Sequence, residues 1–157
     1  MNYYSVLKGF AIYHEVGHFL VAQHLGIEIN YVRLDDEGSH ISVNTYSFNK
    51  LSLEEKICFY MAGEAGFDLF KDLDLKCKTT CQVYDDYKKT HAKDDHEKIT
   101  NIVSKKSYVY RVPFLGKWVL SKKKIAAQKR AYNLLYKDRT RLKTIAYKLA
   151  LNGSLTP

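Results

Sequence analysis

The sequence has few residues that interrupt regular structure and few that cross-link a small fold. Its 157 residues include only two Pro and eight Gly, which favours long helices over a strand-rich sandwich. The three Cys residues, Cys58, Cys77 and Cys81, are an odd number without the spacing of a disulfide framework. This pattern argues against a secreted, disulfide-stabilised protein and predicts a protein of the reducing cytoplasm.

No apolar run in the sequence is long enough to predict a membrane-spanning helix. The most apolar segment, residues 10–29, contains His14, Glu15 and His18, which are unfavourable inside a bilayer. The N-terminal residues lack the basic start, apolar stretch and cleavage site of a signal peptide. The P-loop pattern Gly-x-x-x-x-Gly-Lys-Ser/Thr is also absent, so we expect no ATP binding of that kind.

The apolar content is sufficient for one hydrophobic core. Hydrophobic residues make up 46% of the chain, which excludes a disordered protein. A chain of this length suits a single domain, so we expect one domain over residues 1–157.

The formal net charge of the chain is +8, and the basic residues occur in short clusters. Solvated helix faces are the simplest interpretation of such clusters. The alternative is a surface for an anionic partner, but no nucleic-acid-binding motif accompanies the clusters, and nucleic acid is not expected. The clusters are Lys88-Lys89, Lys105-Lys106, Lys122-Lys123-Lys124 and Lys129-Arg130.

Apolar residues recur at helical spacing over much of the chain. Residues 5–25 predict one helix, with Gly26 suited to the position just beyond its end. Ser52 and Glu55 have the spacing of a capping box, which predicts a second helix that runs through Phe70. Further helices are predicted in the second half of the charged region 71–89, from near Asp94 through Val103, over 121–136 and over 140–151, with Asn152-Gly153 as the stop.

A β-hairpin is predicted between the first two helices. Residues 27–46 are rich in β-branched and aromatic side chains, with a charged turn at 35–38 and a return strand from His40 to Tyr46. Residues 108–116 are expected to form a loop or a short strand, because they contain Pro and Gly. The predicted fold class is therefore mainly α with a small β-hairpin or sheet.

The first predicted helix carries the motif His14-Glu15-Val16-Gly17-His18, which is a complete HExxH sequence. Residues four apart lie one turn apart on the same helix face, so His14 and His18 can direct two imidazoles to one zinc ion. Glu15 can act as general base and then as general acid. Gly17 lacks a side chain and would let another element approach closely. The apolar neighbours indicate a buried helix, in which unpartnered His and Glu side chains would be unfavourable.

A catalytic zinc site usually has a third protein ligand, which must come from elsewhere in the chain. Glu64 and Asp68 lie four residues apart on the helix after the capping box, like the Glu-x-x-x-Asp of thermolysin-like enzymes. Asp95 is the other candidate, and spacing does not decide between them. The other histidines are expected to be surface or packing residues: His24, His40, His91 and His96.

Several segments of the sequence resemble, in order, the peptidase domain of the FtsH-type family. Residues 13–18 are similar to the family motif YHEAGH. Residues 62–70 resemble the family's AGRAAEELxF helix, with departures at Glu64, Gly66 and Phe67. Residues 92–100 resemble GASNDLxxAT, and residues 131–155 resemble the closing helices of the family.

The resemblance has specific implications for fold, cofactor and activity. It implies a helical zincin fold like the FtsH peptidase domain, with zinc as cofactor and Asp95 as the third ligand. It also implies proteolysis of unfolded polypeptides, and the ring assemblies of the family raise the possibility of a homo-oligomer. Family members usually carry an AAA+ ATPase module, which is missing from this sequence, so ATP-independent cleavage of flexible polypeptides is expected.

The leading prediction is an ATP-independent zinc endopeptidase in which His14, His18 and Asp95 bind zinc and Glu15 is catalytic. Two alternatives are a soluble HExxH protease that cleaves repressors and a binding or regulatory module that cleaves little. Residues 14–26 also resemble the first motif of site-2 intramembrane proteases, but those enzymes need several membrane-spanning helices.

Overall fold

The computed structural model describes the backbone of residues 3–35, 38–75, 85, 92–106 and 114–156. Over these residues the protein is mainly helical with one three-stranded antiparallel sheet, so the coarse fold class predicted from the sequence is confirmed. The elements are α1 (Tyr3–His24), β1 (Ile29–Asp35), β2 (Gly38–Val43), α2 (Thr45–Asn49), α3 (Leu53–Phe70), a π-helical segment (Lys71–Leu75), α4 (Lys93–Lys106), α5 (Leu115–Lys137), α6 (Arg139–Asn152) and β3 (Ser154–Leu155).

Some predicted features lie outside the described residues. They are the tip of the hairpin turn, Cys77 and Cys81, all but Asp85 of the helix predicted in the second half of 71–89, His91, and most of the loop or strand at 108–116.

The core is centred on the crossing of α1 and α3. Gly17 and Gly66 allow this close approach, because a Cβ atom on Gly17 would overlap the carbonyl oxygen of Ala62 and one on Gly66 would overlap that of Tyr13. The close approach predicted at Gly17 is therefore confirmed. Around the crossing, fully buried side chains such as Phe10 each contribute about 1.5–3 kcal/mol through removal of apolar surface from water.

The predicted helix boundaries at α1 and α3 agree with the structure. The Ser52 hydroxyl accepts a hydrogen bond from the Glu55 backbone N–H at 3.2 Å, and the Glu55 carboxylate accepts one from the Ser52 N–H at 2.9 Å. Gly26 and Gly153 follow α1 and α6, each at φ +69°, a conformation that glycine adopts without a steric cost.

The sheet places β1 in the centre and β2 at one edge. Val32 of β1 pairs with Ile41 of β2 on one side and with Leu155 of β3 on the other. The predicted hairpin is thus present, while the two-residue strand β3 was not predicted. Within the described part of the chain, the outer edge of β2 pairs with no strand.

Two predicted boundaries were wrong. The return strand ends at Val43 and not at Tyr46, because the Asn44 side chain accepts hydrogen bonds from the backbone N–H groups of Tyr46 and Ser47 and thereby caps α2. Helix α5 begins at Leu115 and includes the buried Gly116, which was predicted to lie in a loop. Glycine inside a helix costs only about 1 kcal/mol, which the packing of a long helix can offset.

Candidate metal centre

Helix α1 presents the two histidines of the motif towards α3. The His18 Nδ1–H donates a hydrogen bond to the carbonyl oxygen of Phe59 at 2.8 Å, which fixes the ring and leaves Nε2 facing the site. The Nε2 atoms of His14 and His18 are 3.1 Å apart, as expected for side chains one helical turn apart. A histidine that binds a metal typically donates its other ring N–H to a carbonyl or carboxylate, as His18 does here.

Helix α4 brings a carboxylate to the same point. The Oδ2 atom of Asp95 lies 3.0 Å from Nε2 of His18 and 3.4 Å from Nε2 of His14. Asp95 is placed there because α4 packs on α3, with Ile99 and Val103 of α4 buried in the core. The structure therefore brings together all three residues predicted as zinc ligands, although Asp95 is 77 positions from His18 in the sequence.

The three side chains form a buried charged group. Burial lowers the pKa of His18, but the charge and hydrogen bond of Asp95 outweigh burial, so this pKa is raised above its ordinary value of 6.5. Burial raises the pKa of Asp95, but the positive charge of His18 and hydrogen bonds from both imidazoles outweigh burial and hold it well below its ordinary value. A carboxylate that stays ionised while buried is suited to binding a cation.

The donor set fits a divalent metal ion. The ligand atoms of His14, His18 and Asp95 all lie within 4.8 Å of one another, and each residue is less than a tenth exposed. Zinc bonds to imidazole of about 2.0–2.1 Å in a tetrahedral site place ligand atoms about 3.3 Å apart, close to the 3.0–3.4 Å separations in the protein. The group could therefore hold a metal ion, and two imidazoles with one carboxylate are a common zinc donor set.

Glu15 lies beside this group without joining it. Its Oε1 atom accepts a hydrogen bond from the Ser39 hydroxyl at 3.0 Å and is 4.0 Å from Nε2 of His14. Its Oε2 atom is buried and has no hydrogen-bond partner among the residues that the structure describes. A buried carboxylate oxygen of this kind has spare capacity to accept a proton or a hydrogen bond from a bound molecule.

Glu64, the alternative third ligand, is engaged elsewhere. It is buried, and its carboxylate accepts a hydrogen bond from Nε2–H of His96. On the other side of the ring, Nδ1 of His96 accepts a hydrogen bond from Nζ of Lys124 at 2.8 Å. Burial lowers the pKa of Lys124 while the charge of Glu64 acts in the opposite direction, and the net shift is downward. Glu64 thus belongs to a Lys124–His96–Glu64 hydrogen-bonded chain and lies outside the three-residue group.

The other residues considered in the sequence also lie apart from the group. The carboxylate of Asp68 accepts a hydrogen bond from Gln128 at 2.7 Å. His24 faces Asp138 at 3.4 Å, and the exposed His40 packs edge-on against Tyr31. Ser39 was not predicted from the sequence, because no motif marks a single serine whose hydroxyl reaches Glu15 only after the hairpin folds over α1.

Gly63 makes room for the first histidine, which leads to a testable prediction. A Cβ atom on Gly63 would overlap the ring of His14, and this ring also packs against Phe67 at a centroid distance of 4.8 Å. Gly63→Ala should therefore turn the ring and lower zinc affinity by about tenfold or more, within the usual range for a residue that supports a metal ligand.

Gly9→Ala is the matched control for this substitution. A Cβ atom on Gly9 would overlap the ring of Phe70, which is not one of the three converging residues. Both variants are compared by competition titration with a zinc indicator and by circular dichroism. We expect Gly9→Ala to affect only thermal stability. Unchanged zinc affinity in folded Gly63→Ala would show that the His14 ring does not need this space.

Comparison with known proteins assigns no family to the chain. No protein-family model matches the sequence, and no curated protein matches it. Among the described helices, none combines the length and the apolar character needed to cross a bilayer. The function is therefore inferred from the geometry of the group formed by His14, His18 and Asp95, with Glu15 beside it.

Proposed function

We propose that the protein is a zinc-dependent endopeptidase that cleaves flexible polypeptides without ATP. The observation that carries this proposal is the convergence of His14, His18 and Asp95 on one point, with a partly unpartnered Glu15 carboxylate beside them. The same residues occupy the positions that the resemblance to the FtsH-type peptidase domain assigns to zinc and to the catalytic base. We also propose that the protein has the helical zincin fold of that domain.

The chemistry expected of the site follows from its parts. Bound zinc would supply a Lewis acid and would lower the pKa of a coordinated water to about 7. Glu15 Oε2 is available to take a proton from the attacking water and to deliver it to the leaving amine. The Ser39 hydroxyl donates a hydrogen bond to the other oxygen, Oε1. This bond fixes the orientation of the Glu15 carboxylate and leaves Oε2 for the substrate.

An extended polypeptide fits the surroundings of the site. Strand β2 carries Ser39 and packs against α1, and its outer edge pairs with no described strand. An extended segment of substrate can add to such an edge through main-chain hydrogen bonds, which would place a peptide bond next to Glu15. Main-chain pairing predicts low sequence selectivity and a requirement for unfolded or flexible segments.

The decisive experiment measures metal and cleavage in the same preparation. Zinc-loaded protein should contain one zinc per chain by elemental analysis and should degrade unfolded casein, and a chelator should stop this cleavage until zinc is restored. His18→Ala should abolish both properties. His24→Ala, a substitution on the same helix but outside the group, should retain both.

The main alternative is a metal-binding module that recognises a partner and cleaves little. The basic surface of α5, which is free of acidic residues, favours this alternative. Full zinc occupancy without chelator-sensitive cleavage of casein and of several flexible peptides would support the alternative over the peptidase.

Ser39 provides a test of how Glu15 is positioned. Ser39→Ala should lower kcat by about tenfold with little change in KM, because a hydrogen bond to a charged group contributes about 1.5–3 kcal/mol. Ser39→Thr keeps the hydroxyl and should restore the rate. The control is Ser42→Ala, also on β2, which removes a hydroxyl that accepts a hydrogen bond from the Asn30 side chain of β1. Equal kinetics for Ser39→Ala and Ser42→Ala would contradict the positioning role.

A further inference from the structure

The positive charge of the chain is concentrated in one stretch of the sequence. Residues 98–137 contain eleven of the 25 Lys and Arg residues and none of the 17 Asp and Glu residues. The 14 basic residues that remain in the rest of the chain are outnumbered by those 17 acidic residues. The net charge of +8 therefore comes entirely from this stretch, most of which is α4 and α5.

Helix α5 combines this charge with large apolar side chains that face solvent. Phe114, at its N-terminal boundary, is 87% exposed, Trp118 is 60% exposed and Ile125 is 61% exposed. Lys122 and the exposed Lys129 lie between and beyond them at helical spacing, so the five residues share one face, which we call the basic apolar stripe. The opposite face of α5 is buried through Ala127, Ala131 and Leu135.

The lysines of the basic apolar stripe are available for an external partner. Neither Lys122 nor Lys129 forms an ion pair with a residue in the described part of the chain, and Lys122 lies 5.7 Å from the centre of the Trp118 ring. By contrast, Lys123 forms an ion pair with Glu54 at 2.6 Å, and Lys124 donates a hydrogen bond to His96. Two neighbouring lysines are thus used within the fold, while those of the stripe remain at the surface.

The backbone at the start of the stripe is unusual. Phe114 has φ +65°, the only positive value recorded for a non-glycine residue among the described residues. A bulky residue in this region is strained, which costs on the order of 1–3 kcal/mol. In this conformation the Phe114 ring is exposed to water, and no packing contact with the residues that the structure describes accounts for it.

We propose that the basic apolar stripe binds the surface of an anionic lipid bilayer, with α5 lying in the plane of the interface. Side chains of both kinds favour such a surface, because lysines are attracted to anionic headgroups while Trp, Phe and aliphatic side chains enter the boundary with the acyl chains. Nucleic acid would also be attracted by the charge and could stack on Trp118. The exposed aliphatic side chain of Ile125, however, gains little on a base or phosphate surface and gains most by leaving water for an apolar layer. This proposal does not depend on peptidase activity.

Trp118 is the only tryptophan of the chain and therefore reports directly on the stripe. Phosphatidylcholine vesicles that contain phosphatidylglycerol should shift its fluorescence to shorter wavelength and should carry the protein into the pellet on sedimentation. Vesicles of phosphatidylcholine alone should do neither. If both kinds of vesicle leave the fluorescence and the sedimentation unchanged, the proposal is wrong.

Charge reversal tests whether the stripe itself makes the contact. Each lysine near an anionic surface contributes about fivefold to partitioning, so the double variant Lys122→Glu with Lys129→Glu should bind at least about 25-fold more weakly. Lys8→Glu with Lys148→Glu makes the same change in net charge at exposed positions of α1 and α6 and should cost much less. Equal losses in the two double variants would contradict binding through the stripe.

Replacement of an exposed aliphatic side chain by serine distinguishes insertion into the lipid layer from attraction by charge alone. Ile125→Ser should weaken vesicle binding by about tenfold or more, whereas Leu151→Ser, at a similarly exposed position of α6, should not. A single-stranded oligonucleotide is the competing ligand. A Trp118 response to the oligonucleotide without any response to anionic vesicles would overturn the lipid proposal in favour of nucleic acid.

Discussion

Replacement of Glu15 by Gln is expected to lower kcat by at least about 100-fold while the zinc content stays at one ion per chain. General acid–base catalysis by a positioned side chain typically contributes about 10²–10⁴ to the rate, and an amide cannot accept the proton. Zinc should be retained because Glu15 is not among the three residues whose ligand atoms converge. The measurements are steady-state cleavage of a fluorogenic peptide and elemental analysis.

The matched control for this substitution is Glu97→Gln. Glu97 lies on α4, two positions after Asp95, but it is largely exposed and forms an i,i+4 ion pair with Lys93 at 3.9 Å. We expect this variant to cleave at the parental rate. If Glu15→Gln also cleaved at the parental rate, Glu15 would not be the proton carrier, and another buried group would have to take that role.

Removal of Asp95 is expected to have the largest effect on metal binding. Asp95→Ala deletes one of three converging ligand atoms and should weaken zinc binding by more than about 100-fold, since even residues that only support a ligand account for about 10- to 100-fold. Zinc at 100 times its dissociation constant stabilises a folded protein by about 2.7 kcal/mol. Zinc should therefore raise the melting temperature of the parent protein, and the same zinc concentration should leave that of the Asp95→Ala variant nearly unchanged.

Glu64→Gln distinguishes the two carboxylates that the sequence left as alternatives. Glu64 is as buried as Asp95, but it is bonded to His96 and lies outside the converging group. The Glu64→Gln variant should keep its zinc even if it loses stability. Full zinc occupancy in Asp95→Ala combined with loss of zinc in Glu64→Gln would transfer the ligand role to Glu64.

Local features of the sequence predicted much of the site. The HExxH spacing requires only a helix to bring His14 and His18 onto one face, and the capping box located the start of α3 through contacts within three residues. The choice between Glu64 and Asp95 could not be made in this way. Both carboxylates lie on helices, and only the packing of α4 on α3 determines which of them reaches the histidines.

The errors in the fold prediction have a similar origin. Tyr46 continues a pattern typical of a strand, but the side chain of Asn44 offers the backbone a competing helix cap. Strand β3 has only two residues, so its pairing with Val32 and Arg33 depends on where α6 ends. The hydrogen bond from Ser39 to Glu15 likewise requires the folded hairpin.

The position of Asp95 on a helix of its own has a mechanical consequence. Helix α4 packs mainly on α3, whereas both histidines belong to α1. An ion held by all three residues would therefore cross-link α1 and α4, and it would close the chain between His18 and Asp95, which includes β1, β2, α2 and α3, into a loop. Release of the ion would remove this cross-link, so the metal content of the protein would determine how tightly α4 is held against α3 and α1.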